Sequence, residues 1–178
     1  EEVKRMEDRL EEVAKRADEE SKKVMDELEK IVRDVLRESK RLTEELRRIA
    51  DRVRKELRTD EVVRRVVKEL DDVSKRNEEV VTKVLEELDR IVEKVEEINR
   101  RVLDELRRIV DEIRRRVTDK KELDRIEKRV REIKKRSEDS VRTIRERVRD
   151  AKRKLERSVE EDKREVKEIK ERLEREAR

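Results

Sequence analysis

The chain contains no glycine, proline, cysteine, histidine or aromatic residue. Each absence excludes something. Without cysteine there is no disulfide, and redox compartment is unconstrained. Without histidine or cysteine there is no zinc site of the common kinds, no Ser-His or Cys-His nucleophile and no Glu-x-x-His di-iron motif. Without glycine there is no phosphate-cradling loop and no dinucleotide fingerprint. Without aromatics there is no base-stacking platform and no aromatic cage. No run of 18 apolar residues and no signal-peptide pattern is present, so a soluble chain that does not span a membrane is expected, with no targeting signal to place it in the cell.

What remains is dense in charge and ordered. Of 178 residues, 62% are charged and 31% hydrophobic. The apolar positions repeat with a period of 18. Leu10, Leu28 and Leu46 are so spaced, as are Leu70, Leu88 and Leu106, and then Leu123, Val141, Val159 and Ala177. Eighteen residues make five turns of an α-helix, so a stripe of that period runs straight along it. A strict heptad would instead drift and impose a left-handed supercoil. The pattern therefore predicts long, near-parallel, untwisted helices, and disordered chains show no such stripe. Strong helix formers fill the remaining positions, and no two-residue alternation suggests a strand.

With no glycine or proline to end a helix, breaks must come from capping residues. Arg58-Thr59-Asp60 and Val117-Thr118-Asp119 supply N-cap oxygens at two sites where the stripe also loses phase. Asp119 has Glu122 three residues on, the capping-box spacing. The reading is one domain over 1–178, an all-α, up-down-up three-helix bundle with helices at about 2–57, 61–116 and 120–177. Each would be about 85 Å long at 1.5 Å per residue. The short connections make sequential helices antiparallel. Paired residue numbers should then add to about 120 between helices one and two and about 239 between two and three, with helix three offset about 119 from helix one.

A few stripe positions are polar: Ser21, Ser39 and Thr43; Ser74, Asn77 and Asn99; Ser137, Ser140, Ser158 and Asp162. Under that register Ser21, Asn99 and Ser140 fall at one level, with Ser137 within a turn. Thr43, Asn77 and Asp162 fall at another, with Ser74 nearby and Ser39 opposite Ser158. Polar groups buried together can satisfy one another, and any slipped register would strand them against Val or Leu. The competing account puts Thr43, Ser140 and Ser158 at half-exposed edges in contact with water. Asp162 is the one carboxylate squarely on a stripe, and it reads as an acceptor for Asn77 rather than as a catalytic acid. No catalytic, cofactor-binding or metal-ligating residue is expected, and an aliphatic bundle core leaves little room for a substrate pocket. The chain is expected not to be an enzyme.

The stripe is wider on two helices. Helix two adds Val67, Leu85 and Leu103 on one flank and Val92 and Val110 on another; helix one adds Ala14, Met25, Val32, Leu36 and Ala50. Helix three carries Lys134, Lys152 and Lys170 on the matching flank, where lysine stems can cover apolar surface. A monomer is expected, with that flank of helices one and two as the place for a second copy or a partner helix. Charge is uneven as well: residues 119–178 carry 24 Lys or Arg against 18 Asp or Glu, a net of +6, whereas 1–58 balance at 18 each. With no reader motif, that excess supports no sequence-specific nucleic-acid binding, and the missing Trp and Phe anchors argue against a lipid-surface role.

Taken together, three equal helices, the 18-residue stripe, Glu/Lys/Arg surfaces and layered Ser and Asn resemble de novo designed, parametrically generated helical bundles. The resemblance implies idealised helices, high stability, no cofactor and no natural activity: a structural scaffold, or alternatively a designed interaction module that self-assembles or accepts a helix. The glycine-free connections depart from that pattern, since glycine commonly follows a designed helix. Natural spectrin-like three-helix repeats share the topology but usually carry core aromatics.

Overall fold

A computed structural model describes residues 2–56 and 59–176. Leu57 and Arg58 of the first expected break, and Ala177 at the end of the stripe, lie outside the described residues. The described chain is three helices: α1 (Glu2–Lys55), α2 (Asp60–Arg116) and α3 (Lys120–Glu176). Acidic residues open α1 and α2 and basic residues close them, as in Asp60 and Glu61 at the start of α2 and Arg114, Arg115 and Arg116 at its end, whereas α3 opens on Lys120 and Lys121 before Glu122. Both placements in α1 and α2 oppose the helix dipole.

The two Thr-Asp pairs cap in different ways. Before α2, the Val62 N–H donates to Thr59 Oγ1 at 3.4 Å, so threonine is the cap. Before α3, the Lys121 N–H donates to Asp119 Oδ1 at 3.0 Å, so aspartate is. The same dipeptide is thus used one residue out of phase. No described residue has a positive φ. The described parts of both connections therefore need no left-handed residue, which is the conformation for which glycine is ordinarily recruited.

The buried positions follow one template in all three helices. In α2 they run Val66, Leu70, Val73, Asn77, Val81, Val84, Leu88, Ile91, Val95, Ile98, Val102, Leu106, Ile109 and Ile113. That is 47 residues in 13 steps, about 3.6 per step, the period of a straight helix. Met6 to Val53 in α1 and Ile126 to Leu173 in α3 each span the same 47 residues, displaced by 60 and then 120, with half-buried residues such as Ile31 and Ile169 filling the intermediate steps.

By internal packing the chain forms two compact units, each with a stretch of every helix. One comprises residues up to Glu29 with Asp89–Arg149, the other Lys30–Leu88 with residues from Asp150 on. In the first, Leu10, Ile91, Val95, Ile113, Ile126 and Ile144 are at most 1% exposed. Its ion pairs show the register: Arg9–Glu112, Arg16–Glu105 and Lys94–Glu27 join α1 to α2 with numbers that add to 121. Arg114–Glu127 and Arg145–Glu96 join α2 to α3 at 241. Glu7–Arg125, Glu11–Arg129, Asp18–Arg136 and Glu29–Arg147 join α1 to α3 at an offset of 118. Sequential helices are antiparallel, and α3 runs parallel to α1.

In the second unit Leu42, Leu46, Ile49 and Val53 of α1 meet Val66, Leu70 and Val73 of α2 and Val166 and Leu173 of α3. Arg52–Glu69, Glu56–Arg65 and Glu45–Arg76 again add to 121, and Glu78–Lys163 and Asp71–Lys170 to 241. Exposed pairs of this kind contribute about 0–1 kcal/mol each. Most of the stability must come from the aliphatic stripe, and the pairs chiefly favour one register.

Candidate functional site

The polar stripe residues are the chemically distinctive positions of the chain. In the second unit Asn77 takes a stripe position of α2 and is 5% exposed, and Asp162 takes one of α3 and is 9% exposed. Asn77 Nδ2 donates to Asp162 Oδ2 at 3.1 Å. On α1, the half-buried Ser39 hydroxyl meets that of Ser158 on α3 at 3.0 Å. Thr43, one turn on from Ser39, donates its hydroxyl back to the Ser39 carbonyl at 3.0 Å. Ser74 is half-buried and its side chain makes no hydrogen bond among the described residues.

Burial raises the pKa of Asp162 above the ordinary aspartate value, and the like charges of Glu165 and Glu161 raise it further; hydrogen bonding from Asn77 and from Thr43 pulls the other way. A threonine hydroxyl has one proton. Thr43 therefore serves either the Ser39 carbonyl or the Asp162 carboxylate, not both at once, and Asn77 is the firmer partner of the acid.

In the first unit Ser137 of α3 is 8% exposed and donates to Asn99 Oδ1 of α2 at 2.7 Å. Asn99 itself is half-buried on the flank, because the adjacent Ile98 takes the buried place. Ser140 turns its hydroxyl to the Arg136 carbonyl of its own helix at 3.1 Å, the back-bond common for serine inside helices. Ser21 is half-buried with no side-chain hydrogen bond among the described residues.

Each cross-helix contact thus joins two helices: α2 to α3 through Asn77–Asp162 and Asn99–Ser137, and α1 to α3 through Ser39–Ser158. Among the described residues no buried side-chain nitrogen or oxygen lacks a partner, and no cluster of three carboxylates, histidines or cysteines could hold a metal. No helix among them is long and apolar enough to cross a membrane. Periodicity could not reveal the small, partly open cavity of about 70 Å³ in the first unit, lined by Val13, Ala17, Ile98 and Val102 together with the charged Arg16, Glu20, Arg101 and Glu105.

No protein-family model and no curated protein matches the chain. Among solved structures, one titled "Computationally designed three helix bundle" is similar over 97% of this chain and 87% of that one, with 21% identity and a TM-score of 0.46. The chain folds as a three-helix bundle.

Proposed function

We propose that this chain is a designed structural scaffold, one domain over 1–178, whose role is to hold a rigid helical form and which catalyses nothing. The observation that carries the reading is the shared template of buried positions, 47 residues in 13 steps in every helix at displacements of 60 and 120. Idealised helices repeated at a fixed interval are what a parametric backbone demands of a sequence. The polar pairs fit this role. They are satisfied and belong to named helix pairs, so they favour one register over its slips at some cost in stability. The test is molar mass by light scattering over a hundredfold concentration range, with denaturant unfolding of the same samples. A constant 21.9 kDa with one cooperative transition is expected. Two separate transitions would contradict the single domain.

One observation favours a second reading, an interaction module. Leu36 on α1 is 52% exposed, with half-buried Val32 one turn before it on the same flank. A mass that rises with concentration, and that Leu36→Glu returns to the monomer, would favour self-association through that flank.

A further inference from the structure

The template of repeated positions provides an internal comparison of the three outer surfaces. Residues 131, 134, 135, 138, 142, 145 and 149 of α3 fall within one sector of about 120° at 3.6 residues per turn. All seven are exposed. Six are basic, namely Arg131, Lys134, Lys135, Arg142, Arg145 and Arg149, and Glu138 alone is acidic. The equivalent α1 positions, 120 residues earlier, hold Lys15 and Lys22 against Glu11, Asp18 and Glu29. Those of α2, 60 residues earlier, hold Lys75 against Asp71, Glu78 and Asp89. Helix geometry demands nothing of this sector, and only α3 makes it a basic face.

The geometry points to this face as a sequence-independent docking surface for the phosphate backbone of duplex nucleic acid. Arg131 and Arg149 stand five turns apart in phase, about 27 Å along the helix. Duplex DNA presents a negative charge every ~1.7 Å of axis, so that length faces the phosphates of about eight base pairs. Four of the six basic residues are arginines, which grip phosphate oxygens in bidentate fashion. Arg131, Lys134, Lys135 and Arg149 make no ion pair among the described residues. Arg142 meets Asp139 and Arg145 meets Glu96, both in exposed pairs that a phosphate can displace. The nearby carboxylates of Glu138, Asp139 and Glu146 keep the attraction moderate and sensitive to salt. A stiff duplex suits a face on a rigid helix, since neither loses much freedom on contact. Single strands would need stacking aromatics and a bilayer would need interfacial anchors, and the chain has neither.

The test is fluorescence anisotropy of a labelled mixed-sequence DNA duplex titrated with the full chain between about 50 and 200 mM salt. Two triple variants of equal charge are compared: Arg131→Gln, Arg142→Gln and Arg149→Gln on this face, and Arg33→Gln, Arg37→Gln and Arg47→Gln on α1. Glutamine keeps helix propensity at these exposed sites, so both fold, which circular dichroism checks. The α3 triple is expected to weaken binding at least ~10-fold at low salt and to flatten the log–log salt slope by about 2–3, while the α1 triple changes affinity less than ~3-fold. Three results would overturn the assignment: no duplex binding at the lowest salt, equal weakening by the two triples, or binding to phosphatidylserine vesicles without binding to duplex.

Discussion

Replacing Asn77 and Asp162, singly and together, tests whether the buried pair acts as a unit. Asn77→Leu leaves the Asp162 carboxylate without its firmer donor inside a largely aliphatic stripe. A hydrogen bond to a charged group is worth about 1.5–3 kcal/mol, and leaving a buried charged group unpaired costs at least as much. Burying a leucine returns about 1.5–3 kcal/mol at most, and less here because asparagine already filled the place. A net loss of about 1–2 kcal/mol is expected. Asp162→Leu strands the Asn77 amide at about 1–3 kcal/mol but also removes a carboxylate that burial disfavours, so its net effect is near zero. The double variant turns both positions into ordinary stripe residues, like Leu42 and Val102 at the positions equivalent to Asp162. It should be at least as stable as the parent, as buried polar pairs replaced outright by apolar groups commonly are. The coupling between the two changes is then about 2 kcal/mol, or roughly 4–8 °C in melting temperature for a chain this long. Guanidinium unfolding of the four proteins, followed by circular dichroism, supplies the cycle. Effects that add to within about 0.5 kcal/mol would refute the pairing and the register role assigned to it.

Other outcomes follow from particular residues. Because burial raises the Asp162 pKa in the folded state, its charge opposes folding at neutral pH, and that penalty is lost as pH falls through the raised value toward the ordinary 3.8. Asp162→Asn should therefore exceed the parent in stability at neutral pH, with the gap closing in acid; a gap that widens in acid would reverse the sign assigned to burial. Glu11 and Glu112 have the opposite sign, held below the usual carboxylate range chiefly by hydrogen bonds from Arg129 and Arg9. What little they contribute is lost as pH falls through their lowered values, and it cancels in the comparison. Asp119→Ala removes the cap of α3 and should cost about 1 kcal/mol, with Asp119→Ser restoring most of it.

The three helices, their straight stripes and the class of fold were legible in the sequence, because 3.6-residue periodicity and capping residues are local properties written along each helix. Asn77 and Asp162 stood out in the sequence because they interrupt an otherwise aliphatic pattern. The partners each polar residue takes depended on tertiary structure. One step of helical rotation puts Ile98 inside and Asn99 on the flank, and a hydroxyl such as that of Ser140 or Thr43 can satisfy itself on its own helix instead of crossing to another. The register was readable only to within one or two residues, at about 120 and 239 against the 121 and 241 of the ion pairs, because it depends on how the connections are traversed. The use of Thr59 in one connection and Asp119 in the other was likewise decided by which side chain reaches a free N–H once the helices are in place. Sequence alone determined what must be buried along each helix; tertiary structure decided what each buried group meets, because a partner on another helix is fixed by rotation and axial offset together, and neither is encoded in local spacing.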